Sequence, residues 1–291
     1  MSMTSQFRSH FPIPKINWFP GHMKKATDEM LKKIKKCDVF IEVRDARIPY
    51  SSSNTFISKN AIDKPKIVIL NKMDLCSVTY TNQLAEKIKD ECDKVLLFSA
   101  ATNQNINLIL DAVKKIVPPK FKTVGSWMMI GGVPNVGKSS IINSLRRKSK
   151  AFNSNKEVAT TGPEPCVTRG VQGFKVSMNP LLYVIDTPGI MLPRLDNAEK
   201  AIRLALIGAI RDDVVGADVI CDYLLFCLNK HRMFDYVKKY DLPGPTDVLE
   251  EVLLHLQKKY HWDDQALCKA VIKHFREGKL GRITLDRINE Y

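Results

Sequence analysis

The sequence contains no apolar run approaching the roughly 20 residues that a membrane-spanning helix needs. Its longest candidate, residues 214–229, is broken by Asp218 and Asp222, so no transmembrane segment is expected and any membrane association would be peripheral. There is no C-x-x-C pair. The seven cysteines (Cys37, Cys76, Cys92, Cys166, Cys221, Cys227 and Cys268) are scattered and odd in number, which argues against a disulfide framework or a zinc site and fits a reducing compartment. The six histidines show no metal-ligand spacing with cysteine or with one another. Acidic residues are missing from the first 27 positions, where Arg8, Lys15, Lys24 and Lys25 stand among several Ser and Thr. That is weakly like a mitochondrial transit segment, without a clear arginine-rich amphipathic helix. Pro12, Pro14 and Pro20 exclude a helix from residues 11–21, which should form an extended arm.

What is present is an ordinary globular balance, 44% hydrophobic and 26% charged over 291 residues, enough for one sizeable domain and a smaller one. The net charge of +14 is uneven: residues 101–160 hold ten Lys/Arg against Asp111 and Glu157 and so supply +8. Arg146, Arg147, Lys148 and Lys150 centre this patch, which suits a polyanion because counterion release rewards phosphate contacts. An RNA partner is expected, DNA is not; a merely solvated surface is the plainer alternative.

Residues 24–36 place Met23, Ala26, Met30, Leu31 and Ile34 for one apolar helical face with lysines opposite. Short apolar runs at 39–43, 66–70, 94–98, 126–130 and 181–185 read as strands. Helical patterns at 81–90, 106–116 and 139–147 separate several of them, which implies a parallel sheet with helices on its faces. Residues 151–173 are polar and punctuated by Gly and Pro, and read as a mobile loop. From about residue 196 the alternation stops. Helical patterns then cover 198–215, a stretch through Val248, Leu249, Val252, Leu253, Leu256 and Tyr260, and another through Leu267, Ala270, Val271, His274 and Phe275, with Gly278 as a helix stop. The expected organisation is an arm (1–23), a doubly wound α/β nucleotide domain with a mainly parallel sheet (24–195) and an all-helical domain (196–291).

The decisive segment is Gly132-Val133-Pro134-Asn135-Val136-Gly137-Lys138-Ser139, a G-x-x-x-x-G-K-S pattern between an expected strand and an expected helix. Its backbone N–H groups would close around phosphate oxygens at the positive end of the helix. Lys138 would reach the β and γ phosphates, Ser139 would offer its hydroxyl to magnesium, and Ser140 lies beside it. Asp186-Thr187-Pro188-Gly189 follows an apolar strand; there Asp186 can hold magnesium through water and the Gly189 N–H can sense the γ-phosphate. Asn71-Lys72-Met73-Asp74 also follows an apolar strand. A buried Asp74 carboxylate would accept from N1–H and the 2-amino group of guanine, donors that adenine lacks. Ser99 and Ala100, after the next strand, can offer a backbone N–H to guanine O6. Each short motif alone also fits an ordinary polar loop; together they indicate GTP. Ordinary GTPases carry the phosphate loop first, whereas here N-K-x-D and Ser-Ala precede it, so the domain is circularly permuted. A doubly wound sheet tolerates this because the site is assembled from strand ends.

Nearly the whole chain resembles the circularly permuted GTPases of ribosome assembly, in the branch that joins bacterial large-subunit assembly GTPases to mitochondrial ribosome-associated GTPases. The resemblance rests on the permuted nucleotide motifs, on Asn17-Trp18-Phe19-Pro20-Gly21-His22-Met23, on Asp45-Ala46-Arg47-Ile48-Pro49 and on Gly278-Lys279-Leu280-Gly281-Arg282. It implies a GTP-hydrolysing assembly factor for the large ribosomal subunit that binds ribosomal RNA in its GTP state. It also implies a mitochondrial location, in the matrix or peripheral to the inner membrane, with a cytoplasmic relative as the alternative. A nucleotide-gated RNA-binding scaffold with negligible hydrolysis is the rival reading. By the same resemblance Thr168 is the switch threonine over magnesium and the γ-phosphate, with Thr160 and Thr161 competing. Ile190 stands where many GTPases carry a water-orienting glutamine; similar proteins with an apolar residue there use potassium, and Asn135 matches its asparagine ligand. His22 is implied in hydrolysis once the ribosome is engaged, or else only packs the arm's turn, and Trp18 and Phe19 would pin the arm.

Overall fold

The computed structural model describes residues 7–14, 31–61, 63–102, 106–117, 125–153, 173–178, 181–185 and 197–290. Strand β1 (Val39–Asp45) is buried at all seven positions. Its alternating side chains divide between two faces: Val39, Ile41 and Val43 enter one apolar core, and Phe40 enters another. Glu42 and Arg44 share the Phe40 face and satisfy each other at 2.9 Å, with Lys66 and Glu91 completing the cluster. That network is how a central strand carries two charges, since an unpaired buried charge is prohibitive.

After helix α1 (Thr55–Asn60) come β2 (Lys66–Asn71), α2 (Val78–Ile88), β3 (Lys94–Leu97), α3 (Ile106–Ile116), β4 (Ser126–Gly131) and α4 (Lys138–Asn153). Helix α4 runs past the expected end at 147 and takes in the first residues of the expected loop at 151–173; residues 154–172 lie outside the described ones. β5 (Gly173–Met178) and β6 (Leu181–Ile185) complete a six-stranded sheet in the order β3-β2-β1-β4-β6-β5. Every pairing is parallel except β5 with β6. The chain builds outward from β1 through β2 to β3 and then returns to β4 on the other side of β1. The order therefore reverses between β1 and β4, the crevice where doubly wound sheets hold ligands.

The C-terminal part contains α5 (Ala198–Leu206), α6 (Asp212–Val215), α7 (Ala217–Lys230), α8 (Asp235–Tyr240), α9 (Leu249–Tyr260) and α10 (Asp264–Arg276). The single helix expected over 198–215 is two. Its first part ends where the Gly208 and Ala209 N–H groups turn back to the Ala205 and Leu204 carbonyls, with Gly208 at φ +76°. Helix α7 is the interrupted apolar run of the sequence: its apolar side chains are buried nearly all round, while Asp218 is exposed and Asp222 half-buried. Helix α10 packs along it. These helices share one continuous apolar core with the Val39–Val43 face of the sheet. After α10, Gly278 marks the expected stop, and the chain returns to the α/β part. There the Leu285 N–H donates to the Arg47 carbonyl at 2.7 Å, and buried Asp286 accepts from the Tyr50 and Ser51 N–H groups and from Arg203. The described part of the arm, residues 7–14, has no regular structure, as its prolines require. Arg8 forks onto Asp222 at 2.7 and 3.0 Å, and Phe11 meets Tyr223 edge-on.

Candidate functional site

The parallel register brings the C-terminal strand ends side by side: Asp45 of β1 pairs with Asn71 of β2, and Glu42 with Gly131 of β4. The loops that leave these ends carry the expected nucleotide residues. Val133 and Val136 are fully buried and root residues 132–137 in the core, Pro134 is half-buried, and Asn135 and Ser139 are exposed. Gly137 has φ +93°, and a Cβ there would run into the Asn71 side-chain nitrogen. The loop therefore needs glycine both for its backbone conformation and for that close approach. Lys138 is buried at the first turn of α4, and its Nζ donates to the Val133 carbonyl at 2.7 Å, across the mouth of the loop. Ser139 and Ser140 follow on the exposed side of that turn, at the positive end of a long helix.

Asn71 ties the site together. It is buried; its Nδ2 donates to the Val136 carbonyl at 2.8 Å, and its Oδ1 accepts the Ala100 N–H at 3.1 Å. One amide thus joins the phosphate loop to the loop after β3. In this arrangement Ala100 spends its N–H on Asn71, while Ser99 acts through its hydroxyl, which donates to Asp74 Oδ1 at 2.6 Å. Asp74 is half-buried at the start of a short turn over 73–75, whose N-cap, Lys72, has left-handed φ +63°. That Ser99 bond fixes the carboxylate's orientation.

Lys72 reaches across to donate to the Asn135 carbonyl at 2.6 Å and pairs with Asp45 at 3.0 Å. Asp45 in turn holds the Arg47 guanidinium through both oxygens at 3.0 and 2.9 Å. Burial would raise the Asp45 carboxyl, but Arg47 and Lys72 outweigh it and hold it well below the usual carboxylate range. Asp45 is therefore a fixed negative charge under the two loops. Asp45 and Arg47 entered the sequence reading only as a resemblance motif; an ion pair two residues apart at the end of a buried strand was the available signal.

The Asn135 Nδ2 donates to the carbonyl of Gly208, in the turn between α5 and α6, so the phosphate loop touches the helical part directly. Of the other expected residues, His22, Trp18, Phe19, Thr160, Thr161, Thr168, Asp186, Gly189 and Ile190 lie outside the described ones. Among the described residues no group of three His, Cys, Asp or Glu is placed to hold a metal. No helix among them is long and apolar enough to cross a membrane.

A family model described as 50S ribosome-binding GTPase matches residues 128–262. The chain is 35% identical to mitochondrial ribosome-associated GTPase 1 of Mus musculus, over 97% of this chain and 94% of the mouse protein. It is 32% identical to ribosome biogenesis GTPase A of Bacillus cereus, over 95% of each. Among solved structures, GDP-bound TM YlqF superposes with TM-score 0.60 at 20% identity, over 90% of this chain and 99% of that one. GNP-bound YlqF from T. maritima gives 0.58 at 21%, over 91% and 98%. These two likenesses concern the fold.

Proposed function

Because the chain belongs to the family of circularly permuted GTPases that contains mitochondrial ribosome-associated GTPase 1 and ribosome biogenesis GTPase A, we propose that it hydrolyses GTP as an assembly factor of the mitochondrial large ribosomal subunit. The observation that carries this reading is the joining of a phosphate loop and a guanine-type N-K-x-D loop through Asn71 and Lys72 at the switch point of the sheet. Relatives named as mitochondrial, the mouse protein among them, support the organelle. Within the mitochondrion the proposed location is the matrix, with peripheral association with the inner membrane as the alternative. The domain limits are proposed at 1–23, 24–195 and 196–291.

In this reading the Asp74 carboxylate, oriented by Ser99, accepts from the guanine edge, and Lys72 closes over the base while it holds the phosphate loop. The N–H groups of residues 132–139 other than Pro134 would surround the phosphates, and Lys138 would exchange the Val133 carbonyl for phosphate oxygens, setting its fixed positive charge against the negative charge that develops on the leaving group. Exposed Ser139 fits a magnesium ligand, with Asp186 and Thr168 as the proposed others; magnesium would neutralise charge on the β and γ phosphates. Asn135 fits a potassium ligand, because an amide that donates its nitrogen to Gly208 has its oxygen left for a cation. Potassium would supply charge that Ile190 cannot. Gly189 senses the γ-phosphate, and His22 positions the attacking water when the subunit is engaged. Exposed Arg146 and Arg147 and the helical domain face ribosomal RNA.

Single-turnover GTP hydrolysis, with and without large subunits in potassium and in sodium, tests the reading. Hydrolysis should need Lys138, rise with subunits and run faster in potassium. Absent hydrolysis under all conditions contradicts the enzyme, and equal rates in both salts contradict the Asn135 assignment alone.

A further inference from the structure

The phosphate loop is held twice at one residue, and both holds end on adjacent residues of α10. The Asn135 carbonyl is bound by Lys72, Lys72 by Asp45, and Asp45 by Arg47. Arg47 lies over the Phe275 ring at 5.0 Å and donates to the Phe275 carbonyl at 3.5 Å. The Asn135 side chain is bound by the Gly208 carbonyl. The turn that presents this carbonyl is clasped by Arg276, which donates to the Leu206 carbonyl at 2.9 Å and the Ala205 carbonyl at 2.7 Å and pairs with Asp212.

Asn135 pays for this position with a left-handed backbone, φ +60°, which a non-glycine residue keeps only when its surroundings over-determine it. Gly208 has φ +76°, which a side chain disfavours, and a Cβ there would stand a tight 3.2 Å from Asn135 Nδ2 and in contact with the Arg276 guanidinium carbon at 3.4 Å, so the amide would have to give way. A guanidinium is the group that can span two carbonyls and a carboxylate in one fixed plane.

We propose that Arg276 is a positioning residue for GTP hydrolysis: through the Gly208 turn it orients Asn135, so that the last turn of α10 sets the conformation of the phosphate loop. The inference rests on the reading of residues 132–139 as that loop. It supplies a route from helical domain to nucleotide that does not pass through Thr168 or Gly189. Whatever partner engages α10 then acts on the phosphates through a chain of three residues, Arg276, Gly208 and Asn135.

The test compares full-length wild type with Arg276→Ala, Arg276→Lys, Asn135→Ala and the Arg276→Ala/Asn135→Ala double variant. The readouts are kcat and KM for GTP, the release rate of a fluorescent GDP analogue, and far-UV circular dichroism. Arg276→Ala should lower kcat and speed GDP release by roughly fivefold to tenfold each, the scale of one lost hydrogen bond on the loop, with a smaller change in KM. Arg276→Lys should recover part of the loss. The double variant should be no worse than Asn135→Ala, since both act through one contact. Wild-type kcat and GDP release in Arg276→Ala, or additive losses in the double variant, overturn the inference. If Arg276→Ala fails to fold, Gly208→Ala decides: it should reproduce the Asn135→Ala values, and wild-type values overturn the proposal. A wild type that neither binds nor hydrolyses GTP would instead sink the underlying site reading.

Discussion

Asn71 is the most economical place to break the site, because one buried amide serves two loops. Asn71→Ala removes the bond to the Val136 carbonyl at 2.8 Å and the bond from the Ala100 N–H at 3.1 Å. It also leaves a buried acceptor and a buried donor without partners. Each net bond contributes about 1 kcal/mol and each orphaned group costs about 1 to 3 kcal/mol, so a total loss of about 3 to 5 kcal/mol is expected after partial relaxation. The loss divides between folding and nucleotide binding, since the phosphate and base loops are both pre-set by this residue. If half falls on binding, the GTP Kd weakens roughly tenfold to fiftyfold at about 1.4 kcal/mol per decade. Asn71→Asp separates the two arms. It keeps an acceptor for Ala100 but sets a carboxylate oxygen against the Val136 carbonyl, so it should disturb the phosphate loop at least as much as alanine does. Titration with a fluorescent GTP analogue, with thermal unfolding alongside, measures both shares. An Asn71→Ala protein with wild-type GTP affinity and wild-type Tm would refute the idea that this amide couples the loops.

Asp74→Asn should lose much of the preference for GTP over ATP, by about 2 to 4 kcal/mol, because one of two acceptors becomes a misplaced donor; competition binding with ATP measures it, and unchanged discrimination removes Asp74 from base recognition. The charged cluster under β1 gives a pH dependence. Burial raises the Glu42 carboxyl, yet Arg44 and Lys66 outweigh it and bring it down to about 2 from an ordinary 4.5. A depressed carboxylate stabilises the fold above its unfolded value and loses that contribution as pH falls toward the folded one. Glu42→Gln should therefore cost about 3 kcal/mol at neutral pH, with the difference from wild type closing between about pH 4.5 and 2. A pH-independent difference in denaturant unfolding would contradict the network.

The nucleotide motifs were legible because their chemistry needs particular residue types at a strand end, and β1, β2, β3, β4 and β6 were legible as short apolar runs. The sheet order was not, since nothing in an apolar run says which neighbour it pairs with; that β4 returns beside β1 comes from packing alone. Strand β5 escaped because it follows a polar, glycine-punctuated stretch, and Gly173 read as loop. The helix expected over 198–215 kept its apolar period straight through residues 207–211, so only Gly208 hinted at the break. For Asn135 the resemblance points to a cation ligand. Its bond to Gly208, and the convergence on Phe275 and Arg276, involve residues more than 70 positions away, which no local pattern encodes.

The central claim is that nucleotide state, read at this permuted site, governs engagement of the mitochondrial large subunit. Co-sedimentation of the full-length protein with purified large subunits, once with a non-hydrolysable GTP analogue and once with GDP at equal salt, tests it most directly. In the proposed function γ-phosphate contacts would hold the site and the helical part in one geometry, so binding should be clearly tighter with the analogue. Equal affinity in the two nucleotide states, or no binding in either, would contradict the account.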